Sequence, residues 1–103
     1  MRDDELKIAT KLIETGIAAG FWLTLFDEEG YPLVTTSRDS AYLTEELGAT
    51  DYQQLVFYDS IGMNRGAVDL VFGNEPGVLI ADHSVVLTQF LKPVMEYAET
   101  FEQ

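Results

Sequence analysis

The chain contains no cysteine. Disulfides, thiolate metal sites and a cysteine nucleophile are all excluded by that alone. Histidine is nearly absent too, since His83 is the only one. No pair of imidazoles exists to hold a metal, and no H-E-x-x-H motif is present. Cations are scarce: 6 Lys and Arg stand against 18 Asp and Glu, a net charge of −12. Nucleic acid and anionic membrane carry the same sign and repel such a chain over roughly 8 Å at physiological salt. Neither is expected as a direct partner. Long apolar runs are missing as well. The least polar stretch, residues 17–26, contains Gly20 and Thr24 and is shorter than the ~18 residues that would suggest a membrane span. The opening MRDDELK is too acidic for a signal or transit peptide. A cytoplasmic protein is the expectation.

What is present suits a folded domain. The 103 residues are 47% hydrophobic and include 6 Phe, 5 Tyr and 1 Trp. That is enough for a single core and too little for two. Acidity has two readings: a solubilising surface, or a surface that engages a basic partner.

The chain is organised around Asp51–Asp82, DYQQLVFYDSIGMNRGAVDLVFGNEPGVLIAD. Three apolar runs within it, LVFY, AVDLVF and VLIA, suit half-buried strands. Glu75-Pro76-Gly77-Val78 fits a type II turn, with proline presetting φ and glycine supplying the positive φ that follows. Residues 61–66 form a glycine-bearing loop. An antiparallel meander with Gly66–Gly73 as its middle strand is predicted, burying Val68, Leu70 and Phe72 on one face.

Residues 3–19 carry helical spacing at Leu6, Ala9, Ile13 and Ile17. Asp3 or Asp4 is the expected cap and Gly20 the stop. Gly16 is a weak point in that helix, at about 1 kcal/mol relative to alanine. FWLTLFD and YPLVTT pair as a hairpin across Asp27–Gly30, with Pro32 at a strand start or sheet edge. Ser37 is placed as the cap of a short helix over 38–47 that buries Tyr42, Leu43 and Leu47. Asp82 or Ser84 is placed as the cap of a last helix. Pro93 is expected to bend or break that helix near Gln89–Lys92. The order is α-β-β-α-β-β-β-α. A single α+β domain follows, with one antiparallel sheet of about five strands and helices mainly on one face. The alternative keeps the first hairpin apart from the meander.

Little in this pattern carries chemistry. Asp82 and His83 are adjacent on a strand and point to opposite faces, which counts against an acid–base pair. The carboxylates lack the frame of a calcium loop, although Asp59, Asp69 and Asp82 lie on or beside the sheet and could converge. Gly62–Gly66 lacks the Lys-Ser/Thr and the helix of a phosphate loop. No G-x-S-x-G is present. No catalytic residue, metal ligand or cofactor is assigned, and a non-enzymatic protein is expected.

The aromatics are more telling. Both faces of FWLTLF are apolar, and so are both faces of LVFY. If helices cover one face only, some of Trp22, Phe26, Val56, Tyr58 and Val71 are left exposed as an interaction surface. If a helix covers each face, no patch exists.

The string VFGNEPGVLIADHS, followed by a helix and an acidic C-terminus, resembles small uncharacterised acidic proteins carried on phages, plasmids and gene cassettes. The likeness lies in a V-x-G-N turn ending a meander and an I-A-D strand end, and it spans about the last third of the chain. It implies an accessory role and no particular activity. The resulting expectation is an acidic protein-interaction module that binds a protein partner, basic in character, and forms a homodimer through the aromatic face. Nucleic-acid mimicry is a subset of that reading, although no regular row of carboxylates is visible. The alternative is a small-molecule binder with an apolar pocket between the sheet and the C-terminal helix.

Overall fold

The computed structural model describes residues 1–102 and has the α+β order α-β-β-α-β-β-β-α. α1 spans Asp3–Ala18, β1 Trp22–Phe26, β2 Pro32–Ser37 and α2 Ser40–Glu45. β3 follows at Tyr52–Tyr58, β4 at Asn64–Val71 and β5 at Ile80–His83. A 3₁₀ turn, Val85–Leu87, then leads into α3 at Thr88–Glu99. All strand pairs are antiparallel and lie in the order β2-β1-β3-β4-β5, so the first hairpin joins the meander in one sheet.

Strand alternation sorts the side chains. Leu23 pairs with Phe57, and Leu25 with Leu55, which pairs in turn with Val68. These residues and Leu70 are buried together with Ile8, Leu12, Ile13, Leu43, Leu91 and Val94 from the helices. That is the core, and it lies on one face of the sheet. Each such aliphatic side chain contributes about 1.5–3 kcal/mol on burial.

The N-terminus of α1 is fastened by its acids. Arg2, not Asp3 or Asp4, is the N-cap, and its N–H donates to Glu5 Oε1 at 2.9 Å. Glu5 is buried and also accepts the Gly73 N–H at 2.6 Å. Asp4 Oδ2 accepts the Gly77 N–H at 3.1 Å. Desolvation pushes the Asp4 carboxyl up, but hydrogen bonds from Arg2 and Gly77 outweigh it and hold the group below its ordinary value. Acidic groups in a first turn suit the dipole, and here they also bind the 73–77 loop. That loop contains the expected turn: the Val78 N–H donates to the Glu75 carbonyl at 3.0 Å, and Gly77 has φ +84°.

Several local expectations shift. Asp39, not Ser37, caps α2, accepting the Tyr42 N–H, while Ser37 Oγ accepts the Asp39 N–H. Tyr42 is 49% exposed, because α2 is too short to turn three residues inward. β4 ends at Val71, so Phe72 lies beyond it, half-buried at the rim, its N–H on the Asp51 carbonyl. Neither Asp82 nor Ser84 caps the last helix with its side chain. Asp82 Oδ1 accepts the His83 N–H, and Ser84 Oγ accepts the Ala67 N–H. α3 runs through Pro93 without a break. Gln89 and Pro93 are both exposed, so the carbonyl that proline leaves unpaired faces water. The change from 3₁₀ to α falls earlier, at Leu87 and Thr88.

Candidate functional site: the outer face of the sheet

Trp22, Phe26, Val56, Tyr58 and Val71 lie on the sheet face opposite the core. Trp22 pairs across strands with Tyr58, Thr24 with Val56 and then Ala67, and Phe26 with Gln54, Asp69 and Asp82 in turn. Tyr52 pairs with Val71. None of these residues belongs to the core cluster that the helices build. The five are not equally open. Trp22 is 38% exposed, Phe26, Tyr58 and Val71 are half-buried, and Val56 is buried at 5%. Val56 sits at the centre of the sheet with cross-strand neighbours on both sides, so it supports the surface rather than presenting one.

The face is uneven. A cleft of about 410 Å³ is lined by Trp22, Thr36, Tyr58, Asp59, Ser60 and Gly62. Thr36 has φ +41°, a costly conformation for a β-branched residue. Its N–H donates to Thr24 Oγ1 at 2.9 Å, at the point where the β1–β2 register slips. The Arg38 guanidinium lies 5.8 Å from the centre of the Trp22 ring and donates to the Ile17 carbonyl at 2.8 Å. Trp22 is thereby held in place by a cation at the end of α1.

The two hairpin tips share one design. Asp27 and Asp59 each accept, through Oδ1, the N–H groups two and four residues on. Each then has a glycine three residues on at φ +85° or +86°. The Asp59 carboxyl is held below its ordinary value, first by the Met63 N–H and also by Arg65, whose Nε is 2.8 Å away. Asp59 is therefore a loop-former and does not converge with Asp69 and Asp82.

Those two do meet. Asp69 and Asp82 are directly opposed on neighbouring strands. Like charges so placed are destabilising. Asp69 accepts from Gln54 Nε2 at 2.9 Å, and among the described residues neither aspartate is in an ion pair. Their field reaches Tyr52, whose phenol is pushed up by burial first and then by Asp69 and Asp82. A cleft of about 200 Å³ opens beside them, lined also by Gln54 and His83. His83 Nε2 lies 3.2 Å from Thr88 Oγ1. Among the described residues no three His, Asp or Glu side chains gather as a metal set.

The space between the sheet and α3, the place for the alternative pocket, is filled by rings. Phe21, Phe57 and Phe90 meet edge to face with centroids 5.5–5.7 Å apart. Sequence reasoning placed Asp69 and Asp82 where they could converge but could not show that they oppose each other, and it missed the buried Glu5. Register alone creates the first, and a 68-residue separation hides the second. Among the described residues no helix is long and apolar enough to cross a membrane. No family model, curated protein or solved structure matches this chain.

Proposed function

We propose that the chain is a non-enzymatic interaction module that binds a basic protein partner on the outer face of its sheet, in an accessory role in the cytoplasm. One observation carries this reading. On the face free of helices, Trp22 is 38% exposed with half-buried Tyr58 opposite it at one end, and four residues further along the strands, in the row of Phe26 and Gln54, lies an opposed pair of carboxylates, Asp69 and Asp82, that among the described residues is in no ion pair. Interfaces favour aromatic residues at their core and polar groups at their rim, and an extended partner that covers Trp22 could place an arginine on the aspartate pair and relieve its repulsion.

The test uses an arginine- and leucine-rich synthetic peptide and the fluorescence of Trp22, the only tryptophan. Binding is expected to shift Trp22 emission and to weaken at least threefold in Asp69→Asn/Asp82→Asn. Removing two charges from exposed helix positions, Glu14→Gln/Glu99→Gln, is expected to change it little. Equal loss in both variants would mean general attraction to a polyanion and would defeat the reading.

A further inference from the structure

The acidic residues are unevenly spread. Ser60–Val68 and His83–Met95 contain no Asp or Glu, although the chain carries 18. The fold brings these two stretches together. A Cβ added to Gly66 would come within 2.9 Å of Leu87 Cγ and 3.1 Å of Ser84 Cβ, so glycine there lets the 3₁₀ turn lie against β4. The Ser84 N–H donates to the Ala67 carbonyl, and Ser84 Oγ accepts the Ala67 N–H, both at 2.9 Å. Leu87 turns into the core, while its neighbours Val85 and Val86 stay out.

One end of the sheet therefore carries an apolar patch. Ile61 and Met63 stand on the β3–β4 hairpin at 77% and 54% exposure, and Val85 and Val86 on the 3₁₀ turn at 87% and 74%. The charge on the hairpin is compensated internally, with Arg65 Nε 2.8 Å from Asp59 Oδ2. The four side chains expose on the order of 500 Å² together, the size of a functional patch on a monomer.

We infer that this apolar end is a self-association surface whose occupant is a second copy of the chain, related by a two-fold axis. Two arguments select that occupant. Pairing four residues from each copy, with the neighbouring backbone they bring in, hides up to roughly 1,000 Å², the lower bound for a biological interface. Elsewhere two copies at −12 repel, and here the one nearby carboxylate, Asp59, is already paired with Arg65. The same net charge disfavours an anionic membrane. The contact centres on the hairpin tip and the 3₁₀ turn and not on Trp22 as first expected, although Asp59, Ser60 and Gly62 of the hairpin also line the Trp22 cleft.

Sedimentation equilibrium across the micromolar range tests it. The wild-type mass is expected to rise toward twice 11.5 kDa, more completely in moderate salt than in low salt, because screening removes the repulsion of the remaining surface. Ile61→Asp/Val85→Asp is expected to stay at 11.5 kDa with an unchanged far-UV spectrum, since both residues are exposed. Met63→Lys/Val86→Lys, a second variant of opposite charge, should do the same. Asp69→Asn/Asp82→Asn should still dimerise, which separates this surface from the outer face. A wild type that stays monomeric at both salts overturns the inference, as does a dimer that survives in both variants. A monomer that floats with phosphatidylcholine vesicles would overturn it in favour of a lipid-inserting tip.

Discussion

Replacing Gly16 with alanine should destabilise this protein, against the usual rule for helix interiors. Alanine gains about 1 kcal/mol of helix propensity over glycine. At Gly16 the new methyl would sit 2.8 Å from Phe57 Cε1, 3.4 Å from Phe57 Cδ1 and 3.6 Å from Leu23 Cδ2. Phe57 is wholly buried and is wedged edge to face between Phe21 and Phe90, so its ring has nowhere to go. Overpacking of this kind costs about 1–3 kcal/mol. The net expectation is a loss of about 1 kcal/mol, and for a domain this size that lowers Tm by about 4–8 °C. Urea denaturation followed by far-UV circular dichroism measures the free energy. A double-mutant cycle with Phe57→Leu isolates the cause. In that background the methyl has room, and Gly16→Ala should become neutral or stabilising, a coupling of about 1 kcal/mol or more. A Gly16→Ala variant that melts above wild type, or a cycle additive within ~0.5 kcal/mol, would refute the close approach of α1 to β3.

Glu5→Ala strips the Gly73 N–H of its buried acceptor and should cost about 1–3 kcal/mol in urea denaturation; a neutral effect would mean that water reaches that loop. Leu70→Ala, at a closed core position, should cost about 2–5 kcal/mol, while Phe72→Ala, at the rim, should cost visibly less. The order of the two midpoints checks this. The Asp59 carboxyl is depressed in the folded state, so the unfolded chain binds the extra proton and stability rises with pH. Its contribution is present above the unfolded value of about 3.9 and is lost as pH falls through the lower folded one. Tm measured from pH 5 to pH 2 should therefore fall more steeply in wild type than in Asp59→Asn, and parallel curves would count against it. Added salt near neutral pH should raise Tm, since a charge of −12 repels itself; a flat response would mean that the acids are already compensated.

What depends on neighbours in the chain was legible from the residue order alone. The eight elements, the 75–78 turn, the inward set of Val68 and Leu70, and the two-sided aromatic character of β1 and β3 all follow from periods of two and 3.6 and from proline and glycine. Helix caps were legible to within a residue or two, because Ser37 and Asp39, or Asp3 and Arg2, compete within one turn and packing chooses between them. Whatever depends on strand register and close approach emerged only in the folded chain. Only the β4–β5 pairing sets Asp69 against Asp82, and only the placement of helices on one face leaves Trp22 and Tyr58 outside while Val56 is covered by its strand neighbours. Gly16, a liability when helix propensity is summed along the chain, is the contact point that lets α1 reach Phe57. Glu5, a charged residue near the chain start, becomes the buried fastening of a loop 68 residues away. The two acid-free stretches were present in the sequence throughout. They acquire meaning once Gly66 lets Leu87 lie against the sheet and brings them to the same end of the molecule, because charge acts through space and sequence distance does not measure it.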